Sequence, residues 1–238
     1  MSGVVMKGAL VEFMPTFLPI PVPNVIVFQY NPETMTHTWT QPEPASTAGK
    51  VTSNPLAVQG MPGESFSFTI AMDANDEIAD GSAPTAALAK VSGLYSRLAA
   101  LEMLLYPTGA PSTLVGTVSA AVTASITGEA TDPVRLVPES VMPVTLFIWG
   151  PGRIVPVRVT DLTITEKLYD PALNPTHAEA QLSLRVLTPA ELVAASADDD
   201  VLANLATITY TYTLALRQAL AVANLANAAE SIIGMIPH

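Results

Sequence analysis

The chain has 238 residues, of which 49% are hydrophobic and only 13% charged, and its 21 acidic and 10 basic side chains leave a net charge of −11. So acidic a chain lacks the clustered Lys and Arg that a phosphate backbone requires, which excludes nucleic acid as an expected partner. The absence of cysteine excludes a disulfide framework and thiolate metal ligation, and no run reaches the ~18 uninterrupted apolar residues of a transmembrane helix, so no direct membrane insertion is expected.

The N-terminal stretch MSGVVMKGALVEFMP carries a lysine inside it and no small-residue cleavage pattern. It is expected to be a strand, over about Lys7 to Phe13, and not a signal peptide. Production in the cytoplasm as a soluble protein follows as an expectation. Pro15, Pro19, Pro21 and Pro23 then impose an extended connection, because each fixes φ and lacks a donor. Val25 to Tyr30 is a strong β run, Asn31-Pro32-Glu33 a turn, and Thr34 to Thr40 alternates Met35, His37 and Trp39 against four threonines. This reads as a hairpin. Residues 41–63 hold four prolines and three glycines with weak periodicity and are expected to be an interaction loop.

Glu64 to Met72 has the period-two pattern of a strand, with Phe66, Phe68, Ile70 and Met72 on one face. An acidic loop is expected over Asp73 to Gly81. From Pro84 to Tyr106 the apolar residues Leu88, Val91, Leu94, Tyr95, Leu98, Leu101 and Leu105 fall at helical spacing, so one helix with a sheet-packing stripe is expected. Residues 108–140 are rich in Thr, Ser, Ala and Gly; a small extra hairpin of Leu114-Val115 with Val118 to Ile126 and an exposed insertion that serves as an interaction loop are the two readings of this stretch. The segment 142–187 is the centre of the chain: Val144–Trp149, a Gly150-Pro151-Gly152 turn, Arg153 to about Lys167, and Ala178–Leu187. Strands joined this closely must be antiparallel neighbours. The fold class is therefore mainly β (α+β).

After the central meander, Pro189-Ala-Glu-Leu192 starts a short helical turn, and Asp198 to Asp200 offer an N-cap with favourable charge. Leu202, Leu205, Thr209, Tyr212, Leu216, Leu220 and Ala223 predict a long last helix ending near Gly234. Ile208 to Leu214 also alternates with period two, so a strand is the competing expectation there. Two domains are drawn: a β domain over 1–190, and a helical extension over 191–238.

Candidate sites are few. Asp73, Asn75, Asp76, Glu77 and Asp80 supply oxygens that suit Ca²⁺, but Ile78 and Pro84 stand where an EF-hand loop needs Gly and Glu. A solvated loop before a helix is the plain reading, and no metal is assigned. His37 and His177 have no nucleophile or acid placed in a catalytic order, and no GxSxG motif occurs, so no catalytic residue, no enzyme activity and no cofactor are expected. Gly150-Pro151-Gly152 is too short to cradle phosphate. The interface candidates are Trp39, Trp149, Tyr212, Leu216 and Leu220: core packing is the plain reading of the tryptophans, and inter-subunit contact the sharper one. With 13% charge, the chain has few groups to cover a free surface, which suits burial against copies or partners.

Taken in order, Phe28-Gln-Tyr-Asn-Pro-Glu-Thr34, Gly63-Glu-Ser-Phe-Ser-Phe-Thr-Ile70, Leu98-Ala-Ala-Leu-Glu-Met-Leu104, Pro143-Val-Thr-Leu-Phe-Ile-Trp-Gly150, Val159 to Asp170, Leu173-Asn-Pro175 and Ala180 to Leu187 carry a resemblance. The ordered set resembles the contractile injection system tube and baseplate-adaptor family, related to phage tail-tube initiators. The resemblance covers about residues 1–190 and rests on no single motif. It implies an antiparallel β-sandwich or barrel of the tail-tube type with one packed helix. It also implies a homo-hexameric ring, structural rather than enzymatic, in the inner tube or in the adaptor joining tube to spike. The implied partners are tube protein and spike or hub protein, with sheath or wedge proteins as further candidates. The implied setting is a phage tail-like particle assembled in the cytoplasm. Adaptors of the family often continue into a LysM module; residues 191–238 have no such pattern. The alternative function is a β-sandwich binding module that recognises carbohydrate or a host surface, which a mass measurement and saturable sugar binding would distinguish.

Overall fold

The computed structural model describes residues 6–14, 22–42, 60–80, 89, 90, 92–106, 144–195 and 201–234, with side chains described except at 13, 14, 22, 23, 77, 80, 195, 201–203 and 226–234. The expected loop at 43–59, the 108–140 insertion and the Asp198–Asp200 cap lie outside these residues.

The chain is mainly β. Seven strands, β1 (Ala9–Met14), β2 (Val22–Val27), β3 (Met35–Thr40), β4 (Gly63–Asp73), β5 (Thr145–Ile148), β6 (Ile154–Tyr169) and β7 (Pro175–Val186), form one antiparallel sheet in the order β2-β1-β5-β6-β7-β4-β3. Among the described residues there are four helices: α1 (Ala74–Asp80), α2 (Tyr95–Met103), α3 (Pro189–Ala195) and α4 (Val201–Gly234). The expected meander is present as β5, β6 and β7. It turns at Gly150, whose φ of +66° suits glycine, with the Trp149 N–H donating to the Arg153 carbonyl at 2.8 Å.

The expected β2–β3 hairpin does not form. β2 pairs with β1 and β3 pairs with β4, so the two runs become opposite edges of the sheet. The physical reason lies in the residues between them. Each side chain of Phe28-Gln-Tyr-Asn31 ties to a different part of the fold instead of closing a local turn. Phe28 is buried in the core with its ring 5.5 Å from that of Phe68. Gln29 donates to the Asp73 carbonyl at 2.8 Å and accepts from the Asp73 N–H at 2.9 Å. Tyr30 donates to Asp76. Asn31 accepts from the Gly8 N–H and donates to the Met6 carbonyl.

The sheet is strongly curved. β5 and β4 are separated by β6 and β7, about 14 Å along a flat sheet, yet the Phe147 ring lies 5.3 Å from Phe66 and 5.5 Å from Phe68. The concave face is filled by alternate residues of β4 (Phe66, Phe68, Ile70, Met72) and β7 (Ala178, Ala180, Leu182, Leu184), with Val155, Val157 and Val159 of β6. A bulge between Val159 and Asp161 shifts the inward positions of β6 to Leu162 and Ile164. Leu94, Leu98, Leu101 and Leu104 join the same core, and each such leucine adds roughly 2 kcal/mol on burial.

The helix expected over 84–106 is broken. Gly93 has φ +56°, and a Cβ there would meet the Pro175 carbonyl oxygen at 2.5 Å. The Leu94 N–H leaves the helix to bond that same carbonyl at 3.0 Å, so α2 restarts at Tyr95. The part of that expected helix over 84–88 and the side chain of Val91 lie outside the described residues. The expected acidic loop after β4 is in fact helix α1, which starts at Ala74.

α3 opens on a capping box: Thr188 N–H donates to Glu191 Oε2 at 2.9 Å while Thr188 Oγ1 accepts from the Glu191 N–H. Leu192 of α3 and Ala206 of α4 then bury Leu146, on the opposite face of β5 from Phe147. Ile208 to Leu214, with its competing strand pattern, is helical. Ala206, Tyr210 and Thr213, four and three apart, are the buried positions among the described side chains of α4. Thr209 and Thr211 turn their hydroxyls back to the carbonyls of Ala206 and Thr207.

Candidate functional site

The start of β4, the end of β3 and the middle of α4 meet at one end of the curved sheet. Period-two alternation places Glu64 on the Phe66 face, where its side chain is 3% exposed. A carboxylate so enclosed needs donors on both oxygens. Arg217 supplies two, Nη1 to Oε2 at 2.9 Å and Nη2 to Oε1 at 2.5 Å. His37, cross-strand from Phe66, lies 2.7 Å from Oε1 through Nε2. The guanidinium of Arg217 also sits over the Trp39 ring, 4.8 Å from its centroid, and His37 stacks on Phe66 at 4.4 Å. Arg153 lies over the other part of this wall, 5.1 Å from the Phe66 centroid.

Burial lowers the pKa of His37, and this outweighs the opposing pull of Glu64; Arg153 and Arg217 add to the lowering. His37 is therefore neutral near pH 7 and donates its Nε2–H to the carboxylate. Burial and Arg217 lower the pKa of Arg153, which keeps its charge near neutrality. Burial, then Glu64, raises the Tyr210 phenol, which donates to Met61 Sδ at 3.3 Å. Thr213 completes the anchorage of α4. Its hydroxyl accepts from the Ile154 N–H at 3.2 Å and donates to the Ile154 carbonyl at 2.7 Å, satisfying a residue that lies beyond the end of its pairing with β7.

The interface candidates divide between core and surface. Trp149 packs on Phe28 and Phe147 within the core margin, and Gly8 permits this because a Cβ there would lie 2.7 Å from the Trp149 ring. Trp39 is 47% exposed beneath Arg217. Tyr212 donates to the Pro151 carbonyl at 3.2 Å while half exposed, and Leu216 lies beside Gly152. Leu220 is 62% exposed. Every described residue from Gln218 to Leu225 is exposed, so α4 is anchored up to Arg217 and stands clear of the described fold beyond it.

Of the acidic residues 73–80, Asp73 and Asp76 are drawn into other bonds. Asp73 accepts from the Asn75 N–H at 2.8 Å and lies 3.6 Å from His177 Nδ1, and Asp76 accepts from Tyr30. The side chains of Glu77 and Asp80 lie outside the described residues. Among the described residues no group of three or more His, Asp or Glu is placed to hold a metal. An open depression of about 680 Å³ lies between β3, β7 and α3, but its Arg185 and Glu191 bond each other. The Glu64 cluster is not expected from the sequence. Its one signal is Arg217, which with Glu230 is the only charged residue after Asp200. A lone guanidinium in an apolar helix needs a carboxylate elsewhere in the fold.

No family model matches the chain, and no curated protein matches it. No described helix is long and apolar enough to cross a membrane.

Proposed function

We propose that the chain is a structural subunit of a contractile injection system, forming a hexameric ring in the inner tube or in the baseplate adaptor that joins tube to spike. The observation that carries this reading is the far half of α4. Leu220, Val222 and Leu225 are 62–66% exposed on a stretch of helix, Gln218 to Ala229, that itself carries no charged residue. An apolar helix left uncovered by the described fold is stable in water only against further cover, which here is a partner. The ordered resemblance supplies which assembly.

Two further features support it. The sheet curves far enough for its filled concave side to be read as the open barrel of a tail-tube fold. Its edge strands, β2 and β3, are available for pairing between subunits. The outer face of β3, β4, β7 and β6 is polar: Thr36, Thr38, Ser65, Ser67, Thr69, Ser183, Thr163 and Thr165 lie on it with Gln181 and with the charged Arg158, Asp161, Lys167, Glu179 and Arg185. Such a face gives a passing cargo little apolar grip, and its charges of both signs present no single-sign field, which suits the wall of a conduit.

The test is mass by light scattering together with electron microscopy, on the chain alone and mixed with candidate tube and spike proteins. Six-fold rings in either setting are expected. A monomer under both conditions overturns the reading, and a monomer with saturable sugar binding establishes the carbohydrate-binding alternative.

A further inference from the structure

The β6–β7 turn holds two leucines in a conformation that leucine disfavours. Leu168 has φ +52° and Leu173 φ +65°, and they are 72% and 73% exposed. Left-handed backbone costs a residue with a Cβ about 1–2 kcal/mol, and a solvent-exposed turn is normally given Gly or Asn. Both positions are thus unfavourable twice over in a free subunit, in backbone and in hydration.

The turn is also rigid. Asp170 accepts from the Ala172 N–H, the Asn174 N–H and Asn174 Nδ2 at 2.8–2.9 Å, and its own N–H donates to the Asn174 carbonyl. Thr176 Oγ1 donates to the Leu168 carbonyl at 3.1 Å. Tyr169, 53% exposed, and Tyr95, 45% exposed, widen the apolar tip. The tip is preorganised for contact.

The opposite end of the same strand supplies a surface that fits it. Ile154, where Thr213 anchors α4, and Leu168 are fourteen residues apart in β6, about 45 Å along the strand. The free arm of α4 starts at that far end and carries no charged residue from Gln218 to Ala229. A contact of knob on arm between copies covers both kinds of surface; a two-fold contact makes it twice and closes at the dimer, whereas a head-to-tail contact leaves one knob and one arm open and propagates along a stack.

We propose that the Leu168–Leu173 turn is an apolar knob that docks onto the α4 arm of a second copy of this chain, in the next ring along the axis. This rests on the ring reading above. The knob offers roughly 300–400 Å² at about 100 Å² per exposed apolar side chain, against the ~800 Å² per partner of a stable pair. One contact therefore leaves the free subunits apart, and a ring multiplies it into a lasting one.

The chain has no cysteine, so Leu173→Cys and Leu220→Cys can be made in separate full-length proteins, mixed and oxidised under conditions where rings form. The disulfide between L173C and L220C should dominate over both homodisulfides; a statistical mixture, a homodisulfide excess or no disulfide overturns the proposal. A second variant keeps the test independent of folding. Leu168→Asn with Leu173→Asn suits the left-handed backbone, so its Tm should be equal or higher while ring-on-ring association is lost. Association equal to the unaltered chain overturns the proposal. Rings that form but stack unchanged sink the knob alone; head-to-tail disulfides without rings sink the hexamer reading alone.

Discussion

Replacing Arg217 by Met tests whether a single ion pair seats α4. The substitution keeps helix propensity and most of the side-chain volume while removing the two hydrogen bonds that Arg217 donates to Glu64. Removing one partner of a fully buried pair costs about 3–5 kcal/mol, because the other charge stays behind without its counter-ion. Two features reduce that figure here: Arg217 is itself 29% exposed, and His37 still donates to Glu64. Loss of the guanidinium from the Trp39 face adds about 0.5–1 kcal/mol. The expected loss is about 2–4 kcal/mol, a fall in Tm of roughly 5–12 °C for a chain of this size. Urea denaturation followed by circular dichroism measures it, and a cycle with Glu64→Gln should return a double variant less destabilised than the sum of the two. Amide exchange after Thr213 should quicken more than in β7. An R217M loss under about 0.5 kcal/mol, or strict additivity with E64Q, would refute the argument that Glu64 needs Arg217.

Thr213→Val removes the only described side-chain partner of the Ile154 N–H and carbonyl and should cost about 1–3 kcal/mol by the same denaturation assay. Gly93→Ala should cost about 2–4 kcal/mol from its φ of +56° and the collision with Pro175, with thermal unfolding as the readout. His37 has a folded-state pKa below its ordinary 6.5, so the unfolded chain binds the extra proton first. Stability should decline as pH drops below about 6.5 and level off beneath the folded pKa; His37→Gln should flatten that part of the stability–pH curve, and an unchanged slope would count against a neutral His37. Leu220→Glu with Leu225→Glu should leave the free subunit's stability within about 0.5 kcal/mol, since both sites are exposed, while abolishing assembly in light scattering.

Local pattern in the sequence determined the elements whose periodicity matches their burial. β4 and β7 alternate strictly, so their inward sets, from Phe66 to Met72 and from Ala178 to Val186, are legible in the order of residues alone. The close spacing of β5, β6 and β7 determined an antiparallel meander, because no crossover fits between them. Tertiary structure decided what local rules leave degenerate. Asn31-Pro32 has the chemistry of a hairpin turn, but Gln29, Tyr30 and Asn31 gain more by bonding Asp73, Asp76 and Gly8, which sends β2 and β3 to opposite edges. Ile208 to Leu214 fits period two and period 3.6 alike, and the fit of Tyr210 and Thr213 against the sheet selects the helix. A leucine stripe cannot show that Gly93 lies against the Pro175 carbonyl, which breaks the helix expected there. Glu64 and Arg217 are 153 positions apart, and no window of sequence holds both. Only the packing of α4 across the start of β4 makes them one site, because a buried carboxylate takes its partner from whatever the fold brings near.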